Sequence, residues 1–110
     1  MNAIAVKEYD TLRISCEYQD DMGHPLSLEM INIEARMTST NNHHSQPLNV
    51  EMSNRAKGMF VLASENNHIM PTLYKVDVMF LEVASGNRIT SDTFNVNVLE
   101  SVTIPDGVTI

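Results

Sequence analysis

Four histidines, one cysteine and a few neighbouring carboxylates are the side chains of this 110-residue chain best able to do chemistry. His43 and His44 are consecutive, and His24 and His68 lie in other polar segments that could converge on them. Imidazole is a common metal ligand, but a metal centre needs two or more further ligands held close by. Adjacent residues on a strand point to opposite faces, so the pair reads as part of a solvated loop. Cys16, being single, excludes an internal disulfide and a Cys-based zinc site. It falls on the apolar side of an alternating run, whereas a nucleophilic thiol needs a cationic, partly exposed setting, so it reads as a small buried residue. Asp20-Asp21 and Glu8 with Asp10 are the carboxylate pairs. A glycosidase pair must be fixed across a cleft, and the calcium-loop pattern D-x-D-x-D-G is absent, which leaves solvated turn acids. There is no Gly-rich phosphate loop, no G-x-S-x-G and no H-E-x-x-H. The expectation is no catalytic residue, no cofactor, no metal and no enzyme.

Composition narrows the partners. Seven Lys and Arg stand against 14 Asp and Glu, a formal charge of −7 with neutral His. Nucleic acid needs cations that displace phosphate counterions, and anionic membranes attract basic segments, so neither is expected as a partner. The hydrophobic share is 43% and the charged share 19%, a globular composition with room for one domain. The opening MNAIAVKEYD has neither a basic start nor a long apolar stretch, so a soluble chain made in a cytoplasm is expected.

The elements that would position these groups are short alternating runs. Leu12, Ile14, Cys16 and Tyr18 alternate with Thr11, Arg13, Ser15 and Glu17. Ile31, Ile33, Ala35 and Met37 alternate with Asn32, Glu34, Arg36 and Thr38. Tyr74, Val76, Val78 and Phe80 repeat the pattern, as do Phe94, Val96 and Val98, with shorter runs at Leu48–Met52 and Phe60–Leu62. A two-residue period places one set in a core and the other in water. Turn formers separate the runs: the segment 19–25 around Gly23, the polar stretch 39–46, the segments 53–58 and 65–71, and the hairpin tip 84–87. About seven strands spaced by roughly 8 to 16 residues predict an all-β, antiparallel sandwich over residues 1–104, with 105–110 as a C-terminal tail. The predicted core is Leu12, Ile14, Ile33, Phe60, Leu62, Val76, Val78, Phe94 and Val96.

The turn and strand residues also form an ordered series. It runs Asp10-Thr11-Leu12, Gly23-His24-Pro25-Leu26-x-Leu28, Ile33-x-x-Arg36, Gly58-x-Phe60, Pro71-x-x-Tyr74-x-x-Asp77-Val78, Gly86 and a closing Val102-Thr103. This series resembles the immunoglobulin-like β-sandwich of phage tail and baseplate proteins, in particular the N-terminal domain of the baseplate upper protein family, over roughly Val6 to Thr103. Leu73 stands where that family carries a glycine before the tyrosine, and seven residues follow Thr103 where family members continue into a fibre or receptor-binding region. The resemblance implies a non-enzymatic virion structural protein, an adaptor or assembly module at the tail, baseplate or fibre attachment region. Its partners would be other virion proteins and further copies of itself, a trimer if it follows its relatives. A carbohydrate- or host-surface-binding sandwich is the alternative, but the chain has no Trp, and of its aromatics only Tyr9 is not assigned to the core.

Two sets of residues are expected to matter. Arg36 and Asp77 match charged positions of the resembled family and sit on the polar sides of two strands that are plausible neighbours, so they are expected to form a structural cross-strand pair. Met30, Met59, Met79 and Leu99 fall on outward positions, where Met offers a soft contact surface. They are candidate interface residues, beside the plainer reading that they fill a core or a second sheet face.

Overall fold

A computed structural model describes residues 4–65 and 68–105. The strands are β1 (Ile4–Lys7), β2 (Arg13–Glu17), β3 (Ile31–Ser39), β4 (Ser45–Asn54), β5 (Met59–Ser64), β6 (Leu73–Glu82), β7 (Arg88–Thr90) and β8 (Phe94–Leu99), with one 3-10 turn at Arg55–Lys57. Their hydrogen-bonded order is β1-β8-β6-β3-β4-β5-β2, with β7 beside β6. Phe60 on β5 meets Phe80 on β6 edge-on, with ring centroids 5.8 Å apart. Tyr18, just past β2, stacks on the same Phe80 at 4.3 Å. These strands lie far apart in the hydrogen-bonded order, so the sheet curls over and packs against itself. β8, β6 and β3 form one layer, β5 and β2 the other, and β4 passes between them. The result is an all-β, immunoglobulin-like sandwich.

The core follows from the alternation. Leu12, Phe60, Leu62, Val76, Val78 and Val96 are buried as expected, and Ile14, Ile33 and Phe94 are half-buried against them. Leu28 and Ile69 are also fully buried although neither belongs to a strand.

Three features depart from a simple antiparallel sandwich. β1 pairs with β8 in parallel, with Ile4 opposite Val96 and Val6 opposite Val98. β7 and β8 both run along β6, and between them Ser91 N–H donates to the Val78 carbonyl at 2.8 Å while its Oγ accepts from Val78 N–H at 2.9 Å. They are two halves of one interrupted edge strand, which reconciles eight segments with a seven-strand architecture. The turn expected over 39–46 is shorter than that stretch, because Ser39 ends β3 and Ser45 begins β4, leaving residues 40–44, which include His43 and His44. Of the expected tail, residues 106–110 lie outside the described residues.

Two corners lock the layers. Tyr74, 1% exposed at the start of β6, donates its hydroxyl to the Met70 carbonyl at 2.8 Å. This is the tyrosine corner of immunoglobulin-like sandwiches, in which the strand-F tyrosine ties back to the preceding connection. Gly58 follows the 3-10 turn in the left-handed region, at φ 72° and ψ 20°. A Cβ there would lie 2.3 Å from the Leu26 carbonyl oxygen and 2.8 Å from that of Tyr18, so the loop after β2 packs directly on this glycine.

Candidate functional site

Three of the four carboxylates singled out by sequence, Asp20, Asp10 and Glu8, make structural contacts. Asp20 Oδ1 accepts from the N–H groups of Met22 and His24, both at 2.9 Å, which closes the turn after β2. Asp10 Oδ2 accepts from Lys7 N–H. Glu8 does more. Its Oε1 accepts from Ser101 N–H at 2.9 Å, its Oε2 lies 2.9 Å from His68 Nε2, and its carbonyl accepts from Ile69 N–H. One residue thus joins the end of β1, the segment after β8 and the connection between β5 and β6. These contacts hold its carboxyl below the usual glutamate range, the Ser101 N–H most and the His68 ring next.

His43, His44 and His68 do line one shallow concavity, together with Met70 and Tyr74. The His68 ring is engaged by Glu8, and Tyr9 packs on it at 5.0 Å between centroids. Among the described residues, no three His, Cys, Asp or Glu side chains are arranged to hold a metal ion. His24 is elsewhere, beside Asp20. Tyr9, the one aromatic left for a sugar ring, is half-buried against His68.

Arg36 and Asp77 sit directly opposite one another on β3 and β6. Both are exposed on the outer face of the layer. The guanidinium Nε donates to Ser45 Oγ at 3.2 Å, and the two charged groups form no direct ion pair. A surface ion pair does form between Arg13 on β2 and Glu51 on β4 at 2.5 Å, with both side chains half exposed.

The four candidate contact residues do not form one patch. Met79 is half-buried on β6, while Met59 is 40% exposed on β5 in the opposite layer. Met30 is 66% exposed in the turn before β3, and Leu99 is 43% exposed at the end of β8.

A larger feature, not expected from the sequence, is a lateral cleft of about 520 Å³ where the two layers stay apart between β2 and the β7–β8 edge. Its floor is Tyr18, Phe60, Phe80 and Phe94, and its walls include Cys16 and the 52% exposed Ile89. Burial in these surroundings raises the Cys16 thiol pKa, which disfavours the thiolate. Glu17, Asp20, Asp21 and Asp92 line the rim. The floor was legible as core. The opening was not, because it depends on where the layers fail to close. Among the described residues, no helix is long and apolar enough to cross a membrane.

The chain matches no protein-family model and no curated protein. Among solved structures it is similar to PcoC, a methionine-rich copper resistance protein from Escherichia coli, at 18% identity and a TM-score of 0.50 over 87% of this chain and 85% of that one. At that identity the likeness speaks for the fold alone, and it agrees with the all-β sandwich.

Proposed function

We propose that the protein is a non-enzymatic structural module of a phage or prophage tail, an adaptor that acts through protein–protein contacts at the tail, baseplate or fibre attachment region. One observation carries this reading: the glycines of the ordered series behind the resemblance, together with its Tyr74, fall on the joints of the sandwich. Gly23 turns the chain after β2 with φ 81°, Gly58 supports the loop that follows, Tyr74 makes the tyrosine corner with the Met70 carbonyl, and Gly86 turns β6 into β7 with φ 75°. The charge of −7 fits a protein partner better than a nucleic acid or an anionic membrane. Free strand edges and exposed apolar side chains supply contact surface. Self-association as a trimer belongs to the same proposal.

Gold labelling of intact particles with an antibody to this chain tests the reading. Label confined to the tail tip or fibre junction is the expected result. Purified particles that lack the chain would refute it.

A further inference from the structure

The cleft between β2 and β7–β8 has the properties of a seat for an added strand. Ser64 N–H donates to the Leu12 carbonyl and Tyr18 N–H to that of Gly58, so the backbone groups of Leu12 and Tyr18 turn toward β5. Strand alternation then directs the N–H and C=O groups of Arg13, Ser15 and Glu17 to the opposite edge. No other strand pairs with that edge among the described residues. The edge borders the aromatic floor and the exposed Ile89. Such an edge, with pockets for alternate side chains beside it, is the basis of recognition by strand addition.

The rim decides the occupant. Glu17, Asp20, Asp21 and Asp92 line the cleft, and no Lys or Arg does. A second copy of this chain would bring a further −7 to an acidic site. A segment with apolar residues alternating with Lys or Arg would place its apolar side on the floor and its cations among the carboxylates.

We propose that this cleft binds an extended, basic and apolar-alternating segment of a partner protein, paired to the free edge of β2. The proposal rests on the adaptor reading above and gives that reading a contact site.

The probe is the peptide acetyl-Lys-Val-Lys-Phe-Lys-Val-Lys-amide, titrated into the full chain by calorimetry, with hydrogen exchange read at each amide. The controls are the same peptide with Glu for every Lys and one with Pro for the central Phe. The expected result is saturable binding of the Lys peptide and none of either control, with exchange slowed at Ser15 and Glu17. The double variant Asp21→Lys/Asp92→Lys, altered only at exposed side chains, should weaken binding about tenfold or more, as should Ile89→Asp. Four results would each overturn the proposal: no binding at millimolar peptide, equal binding of the Glu peptide, slowed exchange confined to another surface, or a folded double variant that binds as well as the parent. Sedimentation supplies a further check. Self-association that Ile89→Asp abolishes would give the cleft to a second copy and also refute the proposal. Gold labelling at the tail with no peptide binding would leave the adaptor reading standing and remove this site alone.

Discussion

Arg36 on β3 and Asp77 on β6 occupy directly opposed positions in the longest antiparallel register of the sandwich, yet the guanidinium Nε is bonded to Ser45 Oγ on β4. Arg36 thus bridges toward β4 while sharing the field of a carboxylate on the other side. Opposite charges at facing positions attract even without a formed ion pair, and solvent limits the effect. A double-mutant cycle with Arg36→Ala and Asp77→Ala, read by denaturant unfolding, should give a coupling of about 0.2 to 1 kcal/mol. Strictly additive effects would show that the pair does not interact.

Tyr74→Phe isolates the tyrosine corner. The variant keeps the ring in the core and removes the hydroxyl that satisfies the Met70 carbonyl. A lost hydrogen bond at a part-buried site should cost about 1 to 3 kcal/mol. Unchanged chemical denaturation would mean that water replaces the hydroxyl at no cost, and that the corner does not fasten the connection to β6.

Much of the layer geometry is readable from parity along the chain. Ile33, Ala35 and Met37 point inward and Glu34 and Arg36 outward because a strand has a period of two, and that parity alone placed Arg36 and Asp77 on outer faces. β1 escaped notice because four residues make a strand only through their parallel pairing with β8, some ninety positions away. β4 runs through polar Ser45, Gln46, Ser53 and Asn54 because β3 and β5 hold it from both sides, so its ends are set by neighbours and not by its own composition. Leu28 and Ile69 are buried in connections, where no period exists to betray them. The cleft was hidden for a related reason. Tyr18, Phe60, Phe80 and Phe94 have the alternation of core residues, and only the closure of the curled sheet determines that one flank stays open.

Gly58→Ala should be among the more damaging single-methyl additions. The left-handed φ of 72° disfavours any L side chain, and the new Cβ would meet two backbone carbonyls, Leu26 at 2.3 Å and Tyr18 at 2.8 Å. Neither obstacle is a flexible side chain that could swing away. Conformational strain and overpacking together predict a loss of about 2 to 4 kcal/mol. Gly23→Ala is the control, since its φ of 81° carries similar strain while open space surrounds the site. Equal losses in the two variants would show that the close approach at Gly58 contributes nothing.

Met30 also adopts a left-handed conformation, with φ 60°, although it is neither Gly nor Asn and is 66% exposed. Its side chain therefore gains little burial in return for the strain. Met30→Gly should stabilise the isolated protein by up to about 1 kcal/mol, relief of the left-handed strain outweighing the greater freedom of the unfolded glycine. A destabilised variant would indicate that the Met30 side chain packs to more effect than its exposure indicates.

Glu8 links acid stability to the junction of three segments. Its folded pKa is depressed, first by the Ser101 N–H and then by His68. A group whose folded pKa lies below its unfolded value stabilises the fold at pH above the unfolded value, and that contribution disappears as pH falls through the folded one. Protonation would weaken both the Oε1 contact to Ser101 and the charge-assisted contact to His68. Glu51, held low by Arg13, contributes with the same sign, so the wild-type curve alone cannot assign the effect. Glu8→Gln separates them: the amide oxygen can still accept from Ser101, but the side chain no longer titrates in this range. Urea unfolding from about pH 6 to about pH 3 should show the parent losing stability more steeply than Glu8→Gln, so that the gap between them narrows toward acid. Parallel curves would mean that the Glu8 carboxyl titrates alike in the folded and unfolded chains and does not clamp the junction.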